Sequence, residues 1–176
     1  MHKLVVSLSL FAIFIHSVFG DCTWPNGTDI GKHWWQLPSS IFNIYGLLNT
    51  NSQGQQEYPI HLNAPVLAIL YVNNTGPVIR QVQVDIDLAE WNPSNCKWNT
   101  IPTFGLLSNL NGCSIGISCP IPQGNKILKV TIDFSQFQAI IGLLKNDAAY
   151  QMQITLTNQA TGDKIVVFDQ ARAETN

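Results

Sequence analysis

Three stretches of this chain alternate polar and apolar residues without a fault. They are Gln81-Val82-Gln83-Val84-Asp85-Ile86-Asp87-Leu88, Leu128-Lys129-Val130-Thr131-Ile132-Asp133-Phe134 and Tyr150-Gln151-Met152-Gln153-Ile154-Thr155-Leu156-Thr157. A period of two sends successive side chains to opposite faces, so each stretch reads as a strand with one dry and one wet face. That is the pattern of an antiparallel sheet packed on one side. The dry faces are Val82, Val84, Ile86 and Leu88; Leu128, Val130 and Ile132; and Met152, Ile154 and Leu156. Asn158 to Asp163, NQATGD, is a turn, and Lys164 to Phe168 is the strand returning from it, which makes a terminal hairpin. Ile60 to Val72 reads as a longer, more buried strand region bent at Pro65. Several short strands in ~150 residues predict an all-β fold, a sandwich of two antiparallel sheets.

Two places break the alternation. Ile41, Ile44, Tyr45 and Leu48 follow helical spacing behind the capping residues Ser39 and Ser40. Phe134, Phe137, Ile140, Ile141 and Leu144 do the same at i, i+3, i+6, i+7 and i+10. Each is expected to be a short amphipathic helix or an irregular loop. The second is too apolar for an ordinary exposed loop and needs a cover of protein, ligand or membrane.

The chain opens MHKLVVSLSLFAIFIHSVFG. His2 and Lys3 give a basic start, Leu4 to Ile15 an apolar run, and Val18 and Gly20 suit the positions before a cleavage site. Residues 1–20 are therefore expected to be a secretory signal peptide. The run is short of the ~20 apolar residues that a membrane-spanning helix needs. Taking 20 from 176 residues leaves 156, enough for one domain with a core of its own. Losing Lys3 leaves eight basic residues against eleven acidic ones, a net charge of −3 with histidine neutral. The charges are scattered, and no basic stripe exists for nucleic acid. Repeats, low-complexity tracts and charge runs are absent from the sequence.

Cys22, Cys96, Cys113 and Cys119 all follow the cleavage site, and an even count in a secreted chain predicts two disulfides, with three connectivities open. Zinc would need different spacing. No cysteine pair is C-x-x-C, and His33 and His61 are far from the cysteines in sequence, so no metal is expected. Asn26-Gly27-Thr28 and Asn73-Asn74-Thr75 are glycosylation sequons, which places Asn26 and Asn73 at the surface if they are used. Gly112-Cys113-Ser114-Ile115-Gly116 fits the nucleophile pattern G-x-S-x-G. That motif belongs on a strand-to-helix turn with its histidine further along the chain. Here both histidines of the mature chain precede Ser114, and Cys119-Pro120 follows where a helix should begin. A small loop closed by Cys113 and Cys119 is the better reading, and no enzyme is expected.

The loop carries a family resemblance. Asp21-Cys22, the stretch GCSIGISCPI at 112–121 and the hairpin YQMQITLTNQATGDKIVVF at 150–168 resemble the ML family. These are secreted lipid-recognition domains related to the myeloid differentiation co-receptor protein, the Niemann–Pick type C soluble sterol carrier and the ganglioside activator protein. The resemblance spans residues 21–176, and its most specific part is G-C-x-x-G-x-x-C-P-I. The connection CPIPQGNKILKVTIDFSQFQAIIGLL is like the ganglioside-activator branch, while the cysteine loop is more like the sterol-carrier branch. Many members pair their first cysteine with one in the last strand, but Lys164 to Phe168 contains none. The resemblance then implies the loop pair Cys113–Cys119 and leaves Cys96 for Cys22.

It further implies an immunoglobulin-like sandwich with a lipid cavity between its sheets. The expected lipid-contacting residues are Phe104, Leu128, Phe134, Phe137, Ile140, Ile141, Leu144 and Ile154. Phe104 falls near a pocket aromatic of the family, and Phe134 and Phe137 fall in the connection flanking the entrance. The five tryptophans read as packing residues, with Trp34-Trp35 the candidate for transient membrane contact. The implied function is a secreted lipid-binding or transfer protein, without catalysis or cofactor. Its ligand would be a sterol, fatty acid, phospholipid or glycolipid. A monomer is expected, outside the cell or delivered to lysosomes. The competing reading is an extracellular protein-interaction module, an immune or cell-surface accessory with a vestigial pocket.

Overall fold

The computed structural model describes residues 22–51 and 53–176, and the expected signal peptide lies outside them. After a 3-10 turn at Pro25–Gly27 come ten strands: β1 (His33–Gln36), β2 (Phe42–Thr50), β3 (Ile60–His61), β4 (Val66–Asn74), β5 (Val82–Asn92), β6 (Lys97–Ile101), β7 (Leu110–Asn111), β8 (Gly124–Ile132), β9 (Ala148–Asn158) and β10 (Lys164–Glu174). A 3-10 turn at Phe134–Phe137 and the single-turn helix α1 (Gln138–Ile141) join β8 to β9. The strands form two sheets. The large one runs β1-β10-β9-β5-β6, with β3 also on β10 and β7 also on β5; the small one runs β2-β4-β8. Every pairing is antiparallel except the two-residue contact of β3 with β10. The all-β sandwich of two antiparallel sheets expected from the alternation is the fold observed, and it is immunoglobulin-like as the resemblance implies.

The three alternating stretches are β5, β8 and β9. Cross-strand register aligns the dry faces of β5 and β9, with Val84 opposite Leu156, Ile86 opposite Ile154 and Leu88 opposite Met152, while β8 lies in the small sheet. Asn158 closes the terminal hairpin, where its N–H donates to Asp163 O at 2.9 Å. The returning strand runs on to Glu174, six residues past its expected end.

Two expectations are corrected. Ile60 to Val72 is not one bent strand. β3 joins the large sheet and β4 the small one, and the chain crosses between them at Leu62 to Pro65. Ile41 to Leu48 is not helical but the start of β2. The register of β2 on β4 skips Tyr45, between Ile44 and Gly46. Such a bulge adds one residue to one strand and flips the parity beyond it. Phe42 and Ile44 point inward before it, Leu47 and Asn49 after it, and Tyr45 is left 60 % exposed. The residues that share helical spacing are thus split between the two faces of the strand, Ile44 inward and Tyr45 and Leu48 outward. The second break does turn helical, as one 3-10 turn followed by α1.

Two buried clusters divide the interior. One holds Phe42, Ile44, Val72, Ile79, Val82, Val84, Ile117, Ile121, Leu128, Ile165 and Val167. The other holds Ile60, Leu62, Val66, Leu88, Ile101, Leu107, Ile140, Tyr150, Ala171 and Ala173, with Phe134, Phe137, Ile141 and Leu144 against it. They mark opposite ends of the sandwich, because β5 and β10 each contribute one end of their length to each cluster.

Candidate functional site

Between the sheets lies a cavity of about 200 Å³. Since ~10–15 Å³ on this measure holds one water, the space is far larger than a packing defect. Its wall takes side chains from both sheets: Leu47, Ala68, Leu70, Val130 and Ile132 from the small one, and Val84, Ile86, Leu88, Met152, Ile154, Leu156 and Ala171 from the large one. Among the described residues, polar side chains on the wall belong only to Asn49, Asp133, Gln136, Tyr150 and Asp169.

The 3-10 turn and α1 roof this cavity. Phe134, Phe137, Ile140, Ile141 and Leu144 all line it, and Ile140 is 3 % exposed. The lid is tied at both ends. Asp133 Oδ1 accepts the Ser135 N–H at 3.0 Å, capping the first turn, and the Ser135 hydroxyl and N–H together hold the Asp133 carboxyl below the ordinary carboxylate value. At the other end Asp147 pairs with Arg172, whose Nη2 donates to Oδ2 at 2.9 Å, and the bond holds the Asp147 carboxyl down too. Tyr150 Oη donates to Lys145 O at 2.8 Å, Lys145 pairs with Glu90, and Asn146 Oδ1 accepts the Thr175 N–H at 2.9 Å. Burial pushes the Tyr150 phenol up to about 12, so it stays a donor.

The cysteine loop seals the opposite side. Cys113 and Cys119 are bonded with Cα atoms 5.5 Å apart, and Cys22 and Cys96 with Cα atoms 5.7 Å apart. Ile117 bridges to Val130 of β8, and Ile115 and Ile117 face the cavity. The glycines of G-x-S-x-G have a packing cause. A Cβ on Gly112 would lie 2.5 Å from Val82 Cγ1, and one on Gly116 would lie 2.1 Å from Thr131 O. Ser114 is exposed on this loop, beside the β7 edge. His33 and His61 sit on β1 and β3 at the β10 edge, roughly 19 Å away at four strand spacings. The structure does not bring them together. His61 instead lies between Glu57 Oε1 at 3.0 Å and Glu174 Oε2 at 3.1 Å. Among the described residues no cluster of three or more His, Cys, Asp or Glu is placed to hold a metal, and no helix is long and apolar enough to cross a membrane.

Of the expected lipid-contacting residues, Phe134, Phe137, Ile140, Ile141, Leu144 and Ile154 line the cavity. Leu128 does not; it is buried in the filled cluster beyond it. Phe104 is a correction. It is 80 % exposed, at a left-handed position (φ 51°) in the loop between β6 and β7, and it is not on the cavity wall. The tryptophans pack: Trp34 against the buried cluster, Trp35 stacked on Phe168 at 4.7 Å, Trp91 edge-on to Trp98 at 5.2 Å, and Trp24 under Arg172 at 5.0 Å. Asn26 is exposed, and its Nδ2 donates to Gln170 at 2.6 Å; Asn73 is half-buried on β4.

Sequence reasoning missed Asp169 and its partners. Asp169 lines the cavity on β10 and is 6 % exposed. Lys32 Nζ stands 3.7 Å from its Oδ2 and donates to Asn49 Oδ1 of the small sheet at 3.3 Å. Burial pushes the Asp169 carboxyl up against the opposing pull of Lys32, and pushes the Lys32 ammonium down against the pull of Asp169. The signal was available. Ile165, Val167, Asp169, Ala171 and Ala173 continue one inward face, so a charged residue sits in register on an apolar stripe.

No family model matches this chain, and no curated protein matches it. Among solved structures it is similar to a Niemann–Pick type C2 protein from the Japanese carpenter ant. The TM-score is 0.48 at 11 % identity, over 81 % of this chain and 99 % of that one. It is also similar to the C-terminal domain of wzt, at TM-score 0.41 and 9 % identity, over 85 % of this chain and 82 % of that one.

Proposed function

We propose that this protein is a secreted lipid carrier that holds one sterol or acyl-chain lipid between its sheets and performs no catalysis. The observation that carries this reading is the lidded apolar cavity of about 200 Å³, in a chain of this size with two disulfides. Burying a methylene is worth about 0.8 kcal/mol, so a dozen supply roughly 10 kcal/mol before the cost of association is taken off. An apolar tail therefore supplies the affinity, and few polar groups are needed to orient it. The loop GCSIGISCPI, with its resemblance to the ML family, supports the same reading and a place outside the cell or in lysosomes.

The test is an organic extract of the purified secreted protein, read by mass spectrometry and followed by uptake of a fluorescent sterol or fatty-acid analogue. Wild-type protein is expected to carry or take up lipid, and Phe137→Asp to stay folded with much weaker uptake. Unchanged uptake by Phe137→Asp moves the entrance away from the lid. Wild-type protein that carries none and takes up none leaves the second reading, a protein-interaction module. That reading has its own observation: Tyr45, Leu48 and Ile127 are exposed on the outer face of the small sheet.

A further inference from the structure

The cavity wall is apolar apart from Asp133, Gln136 and Tyr150 by the lid and, further along β10, Asp169 and Asn49, which Lys32 joins from behind the wall. Position along β10 places this polar spot midway between the ends: Asp169 follows Val167 of the filled cluster and precedes Ala171 of the lidded one. Four residues of strand, about 13 Å, separate Asp169 from Ala173 near the lid. Lys32 binds across the gap between the sheets, from Asp169 on one to Asn49 on the other. The ion pair at 3.7 Å is too long for a hydrogen bond and uses only Oδ2. Asp169 Oδ1 is buried and has no hydrogen-bond partner among the described residues. A buried carboxylate oxygen left without a donor is expensive, and hydrogen bonds to charged groups are the strong ones.

We propose that Asp169 is an internal head-group anchor that selects lipids ending in an aliphatic hydroxyl, the hydroxyl donating to the Asp169 carboxylate, which lines the cavity and lacks a close donor, while Lys32 balances its charge. This rests on the lipid-carrier reading and adds to it the chemistry of the polar end. A free carboxylic acid is disfavoured, because ionised it would set a second negative charge beside Asp169. An ether or hydrocarbon of equal length fills the same apolar space but donates nothing. The polar end therefore sits inside the sandwich, and the lid closes over the far end of the molecule.

The experiment uses the intact secreted chain loaded with N-phenylnaphthylamine as a fluorescent reporter. Hexadecanol, hexadecyl methyl ether, hexadecanoic acid, cholesterol and cholesteryl methyl ether are titrated as displacers at neutral pH. Hexadecanol or cholesterol is expected to displace the reporter at a concentration at least about tenfold below that of its own methyl ether. Comparing the two pairs tells a chain alcohol from a sterol. The double variant Lys32→Met/Asp169→Leu removes both charges and leaves apolar side chains of similar size, a replacement that buried ion pairs commonly tolerate. It is expected to keep its melting temperature and its affinity for the methyl ethers, and to lose the hydroxyl preference. Equal displacement by alcohol and ether in wild-type protein overturns the anchor while leaving the carrier intact. So does a preference that survives in the double variant. Hexadecanoic acid winning overturns it in favour of Lys32 as the anchor. If nothing displaces the reporter and the extract holds no lipid, the carrier reading falls and the anchor with it.

Discussion

The two ends of the sandwich use the same strands and finish differently. At the cysteine-loop end the inward residues are large and packed together: Phe42 and Val72 of the small sheet share one buried cluster with Ile165 and Val167 of β10 and with Ile79 and Ile121. Phe42 is 1 % exposed and Val72 fully buried. A hub of hydrogen bonds runs through the buried Asn74, whose Nδ2 donates to Pro77 O at 3.0 Å and whose Oδ1 accepts the Gly76 N–H at 3.1 Å. At the lid end the same strands switch to small residues. β4 offers Ala68, and β10 offers Ala171 and Ala173, all three on the cavity wall. The difference shows how one alternating pattern makes either a packed core or a hollow. Period fixes which side chains point inward, and their volume decides whether they meet. The lid then covers what the alanines leave open.

The largest effect is expected where the filled end has no slack. Gly116→Val places a branched side chain against Thr131 O at a backbone of φ +123° that side chains rarely adopt. The misfit exceeds what local shifts relieve, so the expected cost is above about 3 kcal/mol and little folded protein is obtained. The yield of folded protein and circular dichroism measure it, and a normal yield would mean that the loop does not pack on β8.

The disulfides sharpen the contrast, since one staples each end. Cys113–Cys119 closes 6 residues within the filled end, and Cys22–Cys96 closes 74 residues near the lid. Chain-entropy reasoning gives about 2 kcal/mol for the short loop and about 4 kcal/mol for the long one. Cys22→Ser/Cys96→Ser should therefore lower the melting temperature more than Cys113→Ser/Cys119→Ser. The reverse order would show that the small loop owes its shape to its bond rather than to its packing.

Filling each end separates hollow from core directly. Val72→Phe over-packs the filled end and should cost about 1–3 kcal/mol. Ala171→Leu adds volume to a space that is already open, so stability should hold or rise slightly while uptake of a fluorescent lipid falls. Thermal melts with an uptake assay on both variants check it, and a destabilised Ala171→Leu would mean that the lid end has no room.

Sequence alone conveyed the sheets and much of the lid, because period two and helical spacing are local signals. It conveyed less about the cavity, for three physical reasons. Tyr45 hides a bulge, and after a bulge parity no longer reports which face is inward. β10 was read only as far as Phe168, so the charge on its inward face at Asp169 went unweighed. Phe104 was assigned by resemblance, and a loop residue's placement depends on backbone turns that no periodicity records; here it sits exposed at a left-handed φ. The alanines were visible as letters, but their meaning depends on what stands opposite, and that is tertiary information.

The smallest effect concerns the lid's two ties. Asp133 and Asp147 flank it, and both carboxyls are held below the ordinary value of 3.8, the first by the Ser135 bonds and the second by Arg172. A carboxyl depressed on folding contributes stability that is present above its unfolded value and is lost as pH falls through the folded one. The lid should therefore loosen below about pH 4, with no change between pH 5 and 8 from these groups. Both carboxylates are at the surface, where solvent screens them, so reporter exchange should quicken by less than about fivefold. Asp147→Asn should exchange faster already at neutral pH and lose part of the acid response. Asp133→Asn should change less, because asparagine caps a helical turn nearly as well as aspartate. Hydrogen exchange read by mass spectrometry locates the effect. Acid should expose amides of residues 134–146 while those around Phe42 and Val72 stay protected. Equal loss of protection at both ends would mean that the lid does not open independently of the core beneath it.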